Sequence, residues 1–136
     1  MIQREFIGRH TCDSPEWYTP SDYVEAAREV MGTIDVDPAS HEEANRTVKA
    51  ATFFTAEDDG LKQSWGGNVF LNPPGGKDDS KTSLVVRFWR KLMSEWGLCH
   101  VEQAIWIGYS LEQLQTMQGV SFKSPLDFPI CVTSKR

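Results

Sequence analysis

Cysteine is scarce in this 136-residue chain, and Cys12, Cys99 and Cys131 form an odd set with no C-x-x-C spacing. That usage fits a reducing cytoplasm. His10 near Cys12 and Cys99 beside His100 are isolated pairs without metal-ligand spacing, so no metal is expected. No apolar run approaches the roughly 20 residues that span a bilayer, which removes a membrane-embedded reading. Met1-Ile2-Gln3-Arg4-Glu5 has no signal-peptide apolar region. Repeats, low-complexity tracts and internal linkers are also missing. An excess of positive charge is lacking too, since the formal net charge is −5.

What is present suits a single globular domain. Hydrophobic residues make up 40% of the chain, with five Trp and seven Phe, enough to bury a core. Residues 1–16 lack periodicity and read as a loosely attached arm, leaving residues 17–136 as the domain. Thr19-Pro20-Ser21-Asp22 starts a helix, with Thr as N-cap and Pro at the first helical position. Tyr23, Val24, Ala27, Val30 and Met31 form its apolar face, and Gly32 ends it. Thr33–Asp37 reads as a strand. Ser40 and Glu43 make a capping box for a second helix, followed by a short strand over Thr52–Thr55. Thr82–Trp96 is the clearest amphipathic helix. Val101–Tyr109 reads as a strand, Ser110–Gln118 as a helix, and Val120–Val132 as one or two terminal strands. This alternation predicts an α/β domain with a mainly parallel central sheet.

The most informative stretch is Asn68-Val69-Phe70-Leu71-Asn72-Pro73-Pro74-Gly75-Gly76. Val-Phe-Leu is a short buried strand, and the prolines end it because they carry no ladder N–H. A stiff polar loop then stands at the carboxyl end of a central strand, where open α/β sheets bind ligands. The Asn72 side-chain carbonyl and the Pro73 carbonyl can both accept from one exocyclic amino group. An aromatic amine is a poor nucleophile, because its lone pair is delocalised into the ring. Two fixed acceptors draw that nitrogen towards tetrahedral geometry, without reorganisation during reaction. Taken alone, Asn-Pro-Pro also makes ordinary turns.

The loop does not stand alone. Trp17-Tyr18-Thr19-Pro20, Asp35-Val36-Asp37-Pro38-Ala39-Ser40, Asp58-Asp59-Gly60-Leu61 and Leu71-Asn72-Pro73-Pro74 follow in order at compact spacing. The series resembles the DNA N-6-adenine methyltransferases of bacteriophages and prophages, from about Glu16 to the C-terminus. The likeness includes Phe88-Trp89 and Ser110-Leu111-Glu112-Gln113-Leu114. It implies a compact Rossmann-like methyltransferase fold, C-terminally shortened because relatives usually continue into a final strand pair. It also implies methyl transfer from S-adenosyl-L-methionine to N6 of an adenine flipped out of double-stranded DNA, in the cytoplasm of a bacterial host or phage-infected cell.

By the same resemblance, Asn72, Pro73 and Pro74 are catalytic. Tyr18, Thr19 and Pro20 would hold the methionine end of the cofactor, where a helix N-terminus suits a carboxylate. One of Asp35 and Asp37, with Asp35 slightly preferred, would accept from the ribose hydroxyls; the bland role for Asp37 is a turn before Pro38. Asp59 would contact the cofactor's adenine amino group, or be a surface-turn acid.

Charge is unevenly spread. Residues 1–76 carry 6 basic and 13 acidic side chains, residues 77–136 carry 8 and 6. Lys77, Lys81, Arg87, Arg90 and Lys91 follow the Asn-Pro-Pro loop closely. Of these, Lys77, Lys81 and Arg87 are candidate phosphate contacts, or else the solvated face of a helix. Two departures from the family pattern stand out. Gly75 occupies the position where most adenine methyltransferases carry an aromatic that stacks on the flipped base, and no G-x-G cofactor loop is present. A binding module that keeps the fold but has lost turnover is the alternative these departures support.

Overall fold

Four short strands and four helices alternate along residues 18–133, the part that the structure, a computed structural model, describes. The expected arm over residues 1–16 lies outside them. The helices are α1 (Ser21–Met31), α2 (Glu42–Val48), α3 (Leu84–Gly97) and α4 (Leu111–Met117). The strands are β1 (Val36–Asp37), β2 (Thr52–Phe53), β3 (Gly67–Leu71) and β4 (Val101–Trp106). All pair in parallel, in the order β2-β1-β3-β4. The expected parallel α/β sheet is therefore present.

Period-two alternation along β3 decides which side chain enters which core. Phe70 joins Val24, Ala27, Met31, Ile34, Val48 and Ala50 beneath α1 and α2. Val69 and Leu71 point to the opposite face, against Val85, Phe88, Trp89, Leu92 and Met93 of α3. Trp65, 1% exposed, closes that second core, with its ring stacked on Phe88 and its Nε1–H donating to the Gly60 carbonyl at 2.8 Å.

Several local expectations change. Val30 is 72% exposed, since it lies about 100° from the Val24–Ala27–Met31 stripe. Pro20, not Thr19, is the N-cap of α1; its carbonyl accepts from the Tyr23 and Val24 N–H groups. His41, not Ser40, caps α2, through an Ala44 N–H donated to His41 Nδ1 at 3.4 Å. Ser40 is buried and its N–H is already donated to the Phe54 carbonyl, so the helix starts one residue later. No strand forms over residues 120–133. That segment lies against α3, where Trp89 Nε1–H donates to the Lys123 carbonyl and Phe128 packs edge-on to Trp89 and Trp96. Among the described residues, β4 is consequently an edge of the sheet.

The amino end of the sheet is closed by polar staples. Asp35 Oδ2 accepts from the Asn68 N–H at 2.8 Å. The Asn68 amide in turn donates to the Met31 carbonyl and Thr33 Oγ1, and accepts from Gln103. Gly67 sits at φ 69° so close to Asp35 that a Cβ would come within 2.3 Å of Oδ2. Buried Glu95 meets Lys91 at 3.0 Å and His100 at 3.1 Å. Burial pushes the Glu95 carboxyl up, but these partners and the Trp65 N–H together hold it below its ordinary value.

Candidate functional site

The sheet order reverses direction between β1 and β3. In open parallel sheets the crevice outside the carboxyl ends of those two strands is the ligand position. β1 runs there into Asp37-Pro38, and β3 into Asn72-Pro73. The chain before α1 and the chain after β4 supply the remaining groups.

Asn72 is half-buried, and its Nδ2 donates to Thr19 Oγ1 at 3.1 Å and to the Tyr109 hydroxyl at 3.0 Å. With both amide protons used, the carbonyl oxygen is the remaining polar pole of the side chain. Among the described residues no donor reaches it, and none reaches the Pro73 carbonyl. Pro73 is buried and Pro74 exposed, so one proline anchors the loop while the other faces solvent. The arrangement fits acceptance from a planar NH2 group. The reverse amide orientation would point N–H bonds at such a ligand and repel it.

Asp37 is 3% exposed. Desolvation raises its carboxyl from 3.8 to about 6, against the opposing pull of the Ala39 N–H and the Ser40 hydroxyl. The Ala39 bond is long, at 3.3 Å. A carboxylate so placed gains most from further donors such as vicinal hydroxyls.

Asp35 is placed elsewhere. Its carboxylate is engaged at the amino end of β3 with Asn68, four residues before Asn72 and about 13 Å down the strand. Of the two candidate aspartates, Asp37 is the one at the ligand end.

Thr19 is buried and spends its hydroxyl on Asn72. Tyr18 packs its ring against His41, with centroids 4.9 Å apart. Residues 18–20 thus bridge the ends of β1 and β3 before α1 begins. Asp59 lies in the loop after β2, at φ 54°, with an exposed partner in Lys62 at 3.4 Å. The loop is locked to the β1 end, because Gly60 sits where a Cβ would be 1.9 Å from the Pro38 carbonyl oxygen. Asp58 is a turn residue; hydrogen bonds from the Thr55 N–H and hydroxyl hold its carboxyl below the ordinary range.

The basic group divides. Lys77 and Lys81 are exposed on a loop closed by a bridge between Lys77 and Ser83. Asp78 organises that loop, accepting from Ser80, Thr82 and Arg87, with the Arg87 contact at 3.0 Å. Arg87 therefore already has a carboxylate partner. An open depression of about 450 Å³ lies beside them, lined by Asp78, Asp79, Ser80, Thr82, Arg87 and Arg90. Lys91 belongs to the other end of the sheet, bonded to Glu95 and placed 5.7 Å from the Trp65 ring centroid.

Sequence reasoning missed Tyr109 and His41. The sequence pattern places Tyr109 at the end of a strand, whereas β4 stops at Trp106. Its position between Gly108 and the Ser110 helix start was the available signal, since strand-to-helix turns on this side of a sheet carry ligand groups. Among the described residues no group of three or more His, Cys, Asp or Glu could hold a metal ion, and no helix is long and apolar enough to cross a membrane. No protein-family model, no curated protein and no solved structure matches the chain.

Proposed function

We propose that this chain is a Rossmann-like, S-adenosyl-L-methionine-dependent methyltransferase that acts on adenine N6 in DNA. One observation carries the reading: both N–H bonds of Asn72 are tied to Thr19 and Tyr109, which leaves its carbonyl and that of Pro73 as open acceptors at the ligand end of the sheet. The ordered motif series supports the substrate and the cofactor.

The cofactor would supply an activated methyl group. Asp37 is the fitting holder for its ribose, as a poorly solvated carboxylate whose burial cost two hydroxyl donors would offset. Tyr18, Thr19 and Pro20, before and at the start of α1, and Asp59, on the docked loop after β2, are the further candidate cofactor contacts. Asn72 Oδ1 and the Pro73 carbonyl accept from the adenine NH2 and localise its lone pair. Thr19 fixes the amide plane, so acceptor geometry exists before substrate arrives. Lys77 and Lys81 meet DNA phosphates on the loop that follows.

Incubation with methyl-labelled cofactor and phage DNA tests this. Wild-type protein is expected to place label in N6-methyladenine, and Asn72→Ala to lower the rate about 10²–10³-fold or more. Equal labelling by the two proteins would refute the assignment. The alternative, a binding module without turnover, draws on Gly75, which offers no side chain to stack on a base and whose Cβ direction is open, with no atom within 4 Å. Calorimetric titration separates the two, because saturable S-adenosyl-L-methionine binding belongs to the enzyme and a flat trace to the module.

A further inference from the structure

Tyr109 is a large, exposed aromatic hydrogen-bonded to the amide that carries one of the open acceptors. A tyrosine retained for packing buries its ring and usually finds a hydrogen-bond partner for its hydroxyl. Tyr109 has the hydroxyl partner without the burial: the residue is 57% exposed, and its hydroxyl accepts from Asn72 Nδ2 at 3.0 Å. Among the described residues no other ring lies against it. It follows β4, the strand beside β3, so its ring is tethered next to the Asn72 amide from a different part of the chain. The Asn-Pro-Pro loop meanwhile continues into Gly75 and Gly76, with nothing within 4 Å of either Cβ position.

We infer that Tyr109 does two jobs for a captured base: its hydroxyl positions the Asn72 amide, and its ring is the stacking surface that the loop itself lacks. This inference rests on the amine-gripping reading of Asn72. The two jobs are separable. Removing the hydroxyl alone frees one amide proton and lets the Asn72 carbonyl swing from its acceptor position, with the ring retained. Removing the ring also removes stacking, which is sequence-tolerant and favours purines by area.

The test compares single-stranded oligo-deoxyadenylate with oligo-deoxythymidylate of equal length, by fluorescence anisotropy at one salt concentration. Wild-type protein is expected to bind the adenylate more tightly, because only adenine offers an amino group. Asn72→Ala removes that preference and leaves the thymidylate unchanged. Tyr109→Ala weakens both strands, by about 5- to 100-fold for the adenylate. Tyr109→Phe keeps thymidylate affinity within about twofold but reduces the adenylate preference, shifts the Asn72 side-chain NH2 resonances and lowers methyl transfer at saturating DNA.

Gly75→Phe in the Tyr109→Ala background is expected to restore adenylate affinity, since Gly75 has no positive φ and its Cβ direction is open. No adenylate preference in wild type would overturn the amine-gripping reading. A preference that Asn72→Ala abolishes, with Tyr109→Ala binding both strands as tightly as wild type, would overturn the role of Tyr109 alone.

Discussion

The two ends of one four-stranded sheet are built on opposite terms. At the amino end polar side chains are matched to partners: Asp35 with the Asn68 N–H, Asn68 with Met31 and Thr33, and Glu95 with Lys91 and His100. At the carboxyl end valence is left over. Asp37 is buried with weak partners, and the Asn72 and Pro73 carbonyls accept from no donor among the described residues. Nearby, Trp106 Nε1 and Gln113 Oε1 are buried without a hydrogen-bond partner among the described residues. The same residue types, Asp and Asn, stabilise at one end and stay available at the other. Saturation of hydrogen-bonding capacity, rather than residue identity, separates scaffold from site.

Substitutions at Gly67 and Asn72 should separate the two ends most clearly. Gly67→Ala forces a Cβ onto Asp35 Oδ2 at a positive φ, so the amino end should lose about 3 kcal/mol, or about 10–20 °C in Tm by scanning calorimetry. Asn72→Ala should cost only about 1 kcal/mol in the same experiment, because it releases two neutral, partly exposed hydrogen bonds. If the two variants melted alike, the division between the ends would fail.

A smaller and opposite effect is expected from Asp37→Asn. The folded carboxyl keeps its proton up to about pH 6, whereas the unfolded one releases it near 3.8. The folded state binds more protons between those values, so wild-type stability falls as pH rises from about 4 to 6 and stays lower above. Asn removes that loss, so the variant should gain on the order of 1–3 kcal/mol at pH 8, with weaker cofactor binding. Urea midpoints across that pH range would read this directly, and a wild-type curve that rises there would contradict it.

Glu95 supplies the mirror image. Its carboxyl is held below its ordinary value of 4.5, so its contribution is present above that pH and is lost as pH falls through the lower folded value. Glu95→Gln should therefore cost about 1–2 kcal/mol at neutral pH and little in acid. Equal losses at both pH values would show that the charge is irrelevant there.

The smallest effect concerns phosphates. Lys77→Ala with Lys81→Ala should lower the slope of log DNA affinity against log salt by about 1.8 in magnitude without moving Tm. Arg87→Ala should instead loosen the loop that Asp78 holds. An unchanged slope in the double variant would assign both lysines to the solvated surface.

Much of this was legible beforehand. The Val69–Leu71 run flanked by Gly and Pro marked a buried strand, and α3 announced itself through Val85, Phe88, Trp89, Leu92 and Met93 at helical spacing. Local signals failed where a tertiary partner outcompeted the local one. Thr19 caps nothing because Asn72, 53 positions away, takes its hydroxyl. Ser40 yields the α2 cap to His41 because its backbone is already bonded to Phe54. Residues 120–133 read as strand by composition, yet their aromatics are taken by the Trp89 and Trp96 side of α3.

The order of apolar runs, with prolines and glycines as stops, determined on its own that this is a parallel α/β domain with a rigid polar loop at Asn72. Those choices depend on chain stereochemistry and periodicity, which neighbours in sequence settle. Which aspartate faces the ligand end, which way the Asn72 amide turns and that Tyr109 stands beside it were decided only by tertiary structure. Each depends on a hydrogen bond between residues at least 33 positions apart, and no local propensity encodes such a pairing.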